Sequence, residues 1–499
     1  MSTTIDNRVD QKGPAYDIEG TAESTNSAAP PEKGDLSSQQ DEGTIINSYA
    51  APQSIKEFLR VLTTAGVELR GLEPVPLQDR THTKYYNIMT LFGGSFISLL
   101  PISIGTTPTL VFGLSFSHAA AMISVQFRYV FGKYPNIFFC LIVIVEIGIF
   151  GILAAVGGAE CLAAIRAGTL PVEGGIGIIM AVALIMAFFG YRAIHLVCQY
   201  IWIPNSICIL ILVGCAAKGL HNQAGVAAPP GIAGPYLSTL AICAGNMATW
   251  GTIVGDYSCY MPPTAPRKRL AMYCFLGLYV PFTLMMLFGA AIGGVVTQNA
   301  TWIAAYEQGS FGAVLGEILT SRVGGFGRFL LVILGFSIVT TSARDMYSIS
   351  IFVAGVVPWL HRVPRIVLLM LVAGAMVGIG IAASRSFLPA LSALVSIAGY
   401  ITGPTISVFL VEWFLFRKAD PSTIDPKIWN NSAALPSGFP ALIACSVPWA
   451  VIVLSMATTW YVGPIAKAAG DLAYPLGAAC SILLYVPLRA FEIKYRGRL

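Results

Sequence analysis

Apolar stretches of about twenty residues recur along the chain between residues 87 and 489, separated by prolines, glycines and small clusters of charge. Because a helix of about twenty apolar residues crosses the hydrocarbon core of a bilayer, each stretch predicts a transmembrane helix. Only 11% of the 499 residues are charged, against about 25% in soluble domains. A soluble multidomain enzyme is therefore excluded, and the predicted fold class is an all-α polytopic membrane protein.

Twelve such spans are predicted within a membrane domain at 87–489, and they are numbered below in chain order. With the N-terminus inside, the inner loops and C-terminal segment hold 15 Lys and Arg residues and the outer loops hold 6. Since cytosolic loops carry the excess of Lys and Arg, both termini are predicted to be cytosolic. The spans lie near residues 87–105, 109–129, 135–159, 174–191, 195–217, 237–259, 270–296, 326–357, 365–383, 387–416, 439–461 and 472–489.

The two ends of the chain differ from the membrane domain in composition. Residues 1–53 are polar, acidic and rich in Ser and Pro, which predicts a disordered cytosolic tail. Residues 54–86 open with apolar side chains at helical spacing, so an amphipathic helix is expected against the membrane or the protein body, followed by a pre-membrane segment. Residues 490–499 are predicted to form a basic cytosolic C-terminus.

Several enzyme signatures are missing from the sequence. It contains no Walker A loop, HExxH or GxSxG motif, and its ten cysteines form no CxxC pair. What remains is a set of polar residues and helix breakers inside apolar spans, which is typical of secondary transporters. No cofactor, metal or nucleic-acid partner is expected. The expected partners are a small-molecule solute and membrane lipid.

The first and sixth spans combine helix breakers with polar or aromatic side chains. Gly93 and Gly94 precede Pro101, and unwinding there would free backbone groups to bind a solute or cation; helix packing at the glycines is the alternative. Trp250 and Asp256 lie among glycines of the sixth span. A tryptophan at that depth offers a flat face to a planar ring, whereas an interfacial or core position is the alternative.

The third and eighth spans carry charge at mid-membrane. The eighth contains Thr341, Ser342, Arg344 and Asp345. The last two are adjacent and point about 100° apart on a helix, so they need not pair. Arg344 could bind a substrate carboxylate or pair with Asp345 or with Glu146 of the third span. Glu146 in turn could carry a coupling proton or simply neutralise the arginine.

One loop carries a candidate modification site. Asn299-Ala300-Thr301 is a sequon in a predicted outer loop, between the seventh and eighth spans. Glycosylation of Asn299 is therefore expected.

Several motifs resemble the fungal purine-cytosine permeases of the nucleobase:cation symporter-1 family. The resemblance implies a LeuT-like fold, in which spans 1–5 and 6–10 are inverted repeats and two further helices follow. It also implies inward symport of a nucleobase with a proton across the plasma membrane. The motifs are EPVPLQDRTHTKYYN (73–87), VFGLSF (111–116), GDYSCYMP (255–262), FLGLYVPF (275–282), GGFGRF (324–329), the 398–418 region, TWYVGPIAK (459–467) and YVPLRAFEIKYRGR (485–498).

The resemblance carries over to single positions, and it also shows departures. Trp250 falls where the family stacks an aromatic ring on the base, and Asp256 falls in its ADY-like motif. The family's base-binding Asn of the third span is Leu153 here. The first-span SAN-like element reads Gly94-Ser95-Phe96, and the eighth-span NNCPN-like element reads Thr341-Ser342-Ala343-Arg344-Asp345. Loss of the amide side chains puts purine and cytosine in question, and Arg344 favours an anionic or zwitterionic ligand.

The main hypothesis is a secondary active transporter of a purine/cytosine-type nucleobase or related planar heterocycle, coupled to protons and less readily to sodium. One alternative is a diverged member carrying a carboxylated or zwitterionic heterocycle, such as a vitamin-like compound or specialised metabolite. Another is a non-transporting receptor on the same scaffold. The predicted substrate-binding residues are Trp250, Gly94, Ser95, Thr341, Ser342 and Arg344, and the predicted ion-coupling residues are Glu146, Asp256 and Asp345.

Replacing Trp250 with Ala tests the stacking hypothesis. If the ring stacks on the solute, the change removes roughly 1–3 kcal/mol of binding and weakens uptake, whereas Trp250→Phe keeps most of it. The measurement is the KM of solute uptake at equal surface expression. Unchanged kinetics in Trp250→Ala would remove this residue from the site.

Overall fold

The computed structural model describes residues 53–64, 86–98, 128–131, 135–166, 168–221, 223, 236–240, 242–243, 266–309, 311–356, 363–384, 387–418, 423 and 433–497. These residues are almost entirely helical. The helices are α1 (Gln53–Thr64), α2 (Asn87–Phe96), α3 (Arg128–Phe131), α4 (Pro135–Ala164), α5 (Val172–Phe188), α6 (Gly190–Leu220), α7 (Arg267–Val296), α8 (Ala300–Gly309), α9 (Phe311–Val323), α10 (Gly325–Phe336), α11 (Val339–Val356), α12 (Arg365–Ala383), α13 (Phe387–Val411), α14 (Phe439–Ser446), α15 (Trp449–Ser455), α16 (Pro464–Ala469) and α17 (Ala473–Arg496).

Seven helical segments of the described residues are long and apolar enough to cross a membrane, and two shorter apolar ones lie at Val172–Phe188 and Phe439–Ser455. The ninth predicted span agrees with α12 at both ends, whereas the last helix continues to Arg496, past the predicted end at 489. The second and sixth predicted spans lie mostly outside the described residues. The seven are Ile137–Ala164, Ala193–Leu220, Met272–Val296, Gly325–Ser350, Arg365–Ala383, Ala393–Phe416 and Ala473–Arg496.

Two helices form the centre of the structure. Every residue from 150 to 162 of α4 is buried, as is every residue from 337 to 350 at the start of α11. A helix that is buried on all sides is one surrounded by other helices. The third and eighth predicted spans therefore form the core, and the polar residues predicted within them lie inside the protein rather than against lipid.

Glycines allow α4 to approach α10 and α11 closely. A Cβ added to Gly158 would lie 2.3 Å from Cδ1 of Ile338 and 2.6 Å from the carbonyl oxygen of Gly335. One added to Gly335 would lie 3.1 Å from the carbonyl oxygen of Gly158. In membranes, helix association is driven by van der Waals packing of small residues. The contact between Gly158 and Gly335 is therefore a main source of cohesion between α4 and α10.

The structure describes the first predicted span only as far as residue 98, and this part is helical up to Phe96. Gly93 and Gly94 lie inside α2, and the helix ends at Phe96. Ile97, at φ −76° and ψ 69°, leaves the helical conformation. The expectation that the helix unwinds at the two glycines is therefore wrong. Both glycines are helical, and the chain leaves the helix at Ile97, three residues after Gly94.

A crowded glycine and an open one should respond differently to replacement with Ala. Gly158→Ala forces atoms of Ile338 and Gly335 apart and should cost about 1–3 kcal/mol of stability. Gly177→Ala, on α5, places its methyl where no described atom lies within 4 Å; it should leave stability unchanged or raise it by about 0.5–1 kcal/mol through reduced backbone entropy. The measurement is the thermal denaturation of the purified protein in detergent. Equal melting temperatures for the two variants would contradict the packing described.

Candidate functional site

Arg344 and Asp345 form a buried ion pair on α11. The guanidinium donates from Nε at 3.1 Å and from Nη2 at 2.8 Å, and both bonds go to Oδ1 of Asp345. The two side chains are 4% and 1% exposed. Although the side chains of neighbouring residues start in different directions, the arginine is long enough to fold back. The pairing of Arg344 with Asp345, one of the predicted alternatives, is thus present in the structure.

The ion pair lies against α4. A Cβ added to Gly151 would be 3.2 Å from Cβ and 3.3 Å from Oδ2 of Asp345, so a side chain at position 151 would displace the carboxylate. The hydroxyl of Ser342 donates to the carbonyl oxygen of Gly151 at 3.2 Å. Gly151 thereby makes room for the charged pair against α4.

Two side-chain oxygen atoms of α11, one of them in this ion pair, form no hydrogen bond with the described residues. They are Oδ2 of Asp345 and Oγ1 of Thr340, and both are buried. Thr341 is also buried. Since buried polar groups nearly always have partners, these oxygens are candidates to meet a solute, a proton or a water molecule.

Glu146 and Leu153 lie on the same central helix as Gly151. Glu146 is 1% exposed. It lies five residues before Gly151, which is about 7.5 Å along the helix axis. Leu153 is completely buried in the apolar core, so the position that holds an amide in the family pattern is part of the packing here.

The remaining predicted site residues are only partly covered by the structure. Gly94 and Ser95 belong to the last turn of α2. Trp250 and Asp256 lie outside the described residues. Asn299 precedes α8, and its Oδ1 accepts hydrogen bonds from the amide and hydroxyl of Thr301 at 3.0 and 2.8 Å; its glycosylation stays a prediction.

A polar contact that sequence analysis missed joins α6 to the end of α2. Asn205, which is completely buried, donates from Nδ2 to the carbonyl oxygen of Ile97 at 3.0 Å. It follows Pro204, whose ring removes a backbone donor inside the helix. An amide beside a proline in an otherwise apolar span was the available signal.

A second missed feature is a network of buried charges at the end of α13 and α17. Arg489 donates to both carboxylate oxygens of Glu412, at 2.9 and 2.8 Å, and to Glu492 at 2.7 Å. Arg417 and Tyr485 also donate to Glu412, at 3.0 Å each. Arg417 and Arg489 are among the 15 basic residues counted on the inner side; the structure shows that both side chains are buried, at most 4% exposed.

Two further polar contacts hold helix ends. Arg365, at the start of α12, lies 3.9 Å above the ring of Tyr347 and donates to the hydroxyl of Ser350 at 3.2 Å. Asp471 accepts hydrogen bonds from the hydroxyl of Tyr400 and from the first amide of α17. Burial raises the pKa of the Asp471 carboxyl, although both hydrogen bonds favour its ionised form.

The long apolar helices around a buried polar core are those of a polytopic membrane transporter. Comparison with known proteins identifies its family. The family model described as a permease for cytosine/purines, uracil, thiamine and allantoin matches residues 120–477. Since this match covers more than half of the chain, the protein belongs to that permease family.

Its similar proteins include three curated fungal transporters. The purine-cytosine permease FCY2 of Saccharomyces cerevisiae is 26% identical over 96% of both chains. The purine-cytosine permease fcyB of Emericella nidulans is 27% identical over 88% of this chain and 91% of its own. The vitamin B6 transporter TPN1 of S. cerevisiae is 25% identical over 87% and 89%.

Two solved structures share the fold. One is Mhp1, a nucleobase-cation-symport-1 family transporter with bromovinylhydantoin bound, which covers 82% of this chain and 93% of its own at a TM-score of 0.55 and 14% identity. The other is a Na⁺-coupled sialic acid symporter, which covers 90% and 97% at a TM-score of 0.52 and 10% identity. At these identities the likeness concerns the fold alone.

Variants of the ion pair test whether Arg344 is held by Asp345. Asp345→Leu or Arg344→Met alone leaves a buried charge without this partner and should cost about 3–5 kcal/mol of stability, whereas the double variant Arg344→Met/Asp345→Leu should recover most of that loss. The measurement is thermal denaturation of the four proteins. If Arg344→Met kept wild-type stability, a purely solute-binding role for the arginine would be favoured over the pair.

Proposed function

We propose that this permease carries a neutral planar heterocycle of the purine or cytosine type into the cell together with a proton. The proposal includes a plasma-membrane location, cytosolic termini and twelve transmembrane helices, ten of them in two inverted repeats of five. It is supported by membership of the permease family and by the purine-cytosine permeases among its relatives.

The Arg344–Asp345 pair is the observation that favours a neutral solute. Two donors of the guanidinium are used on one carboxylate oxygen, and the pair as a whole has no net charge. A carboxylated solute would have to compete with Asp345 for the arginine inside the protein. A neutral heterocycle needs only hydrogen bonds and a stacking surface, which Trp250 and Thr341 would supply.

Proton coupling is proposed from the buried carboxylates. Glu146 and Asp345 lie on the two central helices and are each 1% exposed. Burial makes the ionised form of a carboxylate costly, and for Asp345 the pair with Arg344 offsets part of that cost. Taking up a proton from one side and releasing it to the other as the helices rearrange would link proton flow to solute movement, with Asp256 as a third candidate.

A second substrate class is favoured by one relative. The vitamin B6 transporter TPN1 is similar over most of the chain, and Leu153 replaces the amide expected in the third span. A vitamin-like or zwitterionic heterocycle is therefore the alternative cargo. For that cargo, Arg344 would have to leave Asp345 and bind the solute.

An uptake panel in a permease-deficient yeast separates the two substrate classes. We expect uptake of labelled adenine, cytosine or hypoxanthine that increases at acidic external pH and is abolished by a protonophore. Glu146→Gln should remove the response to pH, whereas Glu307→Gln, an exposed carboxylate on α8, should leave uptake unchanged. Uptake of pyridoxine or a carboxylated heterocycle alone, lost in Arg344→Ala, would establish the second class instead.

A further inference from the structure

The end of α2 exposes a backbone carbonyl that no longer serves the helix. The N–H of Ile97 still closes the last turn on Gly93 at 2.8 Å. Its own dihedral angles leave the helical region, so its carbonyl oxygen points away from the helix. That oxygen instead accepts the hydrogen bond from Asn205 of α6, midway along a membrane-crossing segment.

The chemistry of the contact sets the orientation of the Asn205 amide. A carbonyl oxygen can only accept, so the nitrogen of the amide faces Ile97 and the amide oxygen points the other way. No described residue donates to that oxygen, and the side chain is completely buried. One half of the amide thus holds the end of α2, and the other half is an acceptor close to the same break.

Freed carbonyls at broken helices commonly coordinate Na⁺ in secondary transporters, because they are oxygen ligands already removed from the helix. We propose that Asn205 is the residue that sets the coupling ion at the end of α2: its neutral N–H takes the place that a cation would have against the Ile97 carbonyl, so this helix end is held without sodium. The inference rests on the proposed function, since it concerns which ion drives the same transporter.

An amide-to-carboxylate change distinguishes this role from ordinary packing. Asn205→Asp puts an ionised oxygen beside the carbonyl oxygen of Ile97, and the two repel unless a cation lies between them. The change should therefore create a sodium requirement. Asn205→Ala frees the carbonyl without adding charge, and it should produce a smaller effect in the same direction.

Gln223 provides a matched control. It also donates a side-chain N–H to a backbone carbonyl, that of Ala291, at 2.7 Å. The contact is exposed and joins Gln223, which follows the end of α6, to α7. Gln223→Glu repeats the same chemical change where water can solvate the carboxylate, so no sodium requirement is expected.

The experiment measures the melting temperature of the purified full-length chain, without solute and at alkaline pH, in sodium chloride and in choline chloride of equal ionic strength. We expect no difference for wild type and Gln223→Glu, and a sodium-specific rise of about 2–4 °C for Asn205→Asp. If Asn205→Asp does not fold, the proposal is tested by Asn205→Ala, for which we expect a smaller sodium-specific rise in melting temperature.

Sodium-specific stabilisation of the wild type, or no sodium response in either Asn205 variant, would overturn the proposal. Because no solute is present, this result is independent of the uptake panel. If no nucleobase in that panel is taken up, the proposed function is contradicted. The role of Asn205 is still tested by the melting temperatures.

Discussion

The close approach of α4 to α10 and α11 is the constraint on which the rest of the structure depends. Gly158 and Gly335 bring the backbones together, and Gly151 leaves space beside them for the carboxylate of Asp345. In a bilayer, where apolar side chains gain nothing by leaving lipid, such backbone contact is what holds helices together. Glycines of α4 therefore provide both cohesion, at Gly158, and space for a buried carboxylate, at Gly151.

The buried charges are arranged so that most have an opposite charge at hydrogen-bond distance. Arg344 pairs with Asp345 at the centre, and Arg489 pairs with Glu412 where α13 meets α17. The second network joins the last helix to the tenth predicted span, whereas the first lies between the two central helices. The two groups of charges therefore lie on different helices, one on α11 against α4 and the other at the contact of α13 with α17.

Hydrophobicity alone predicted the seven described segments that are long and apolar enough to cross a membrane, because length and apolar composition decide whether a segment can do so. The ninth span agrees with α12 at both ends, and the charges flagged at Glu146, Arg344 and Asp345 are all buried. Which charges pair was not predictable, since it depends on tertiary distance. Arg489 was counted with the C-terminal segment because it lies at the end of an apolar window, and Asn205 was missed although an amide beside Pro204 in an apolar span was a signal.

Proton-driven accumulation by the purified chain is the central claim, and reconstitution tests it most directly. Proteoliposomes containing the protein alone are given a pH gradient, alkaline inside, in sodium-free buffer, with labelled cytosine and adenine outside. The account predicts that at least one solute rises above its external concentration and returns to equilibrium when a protonophore is added. Accumulation that appears only with a sodium gradient, or simple equilibration without accumulation, would contradict it.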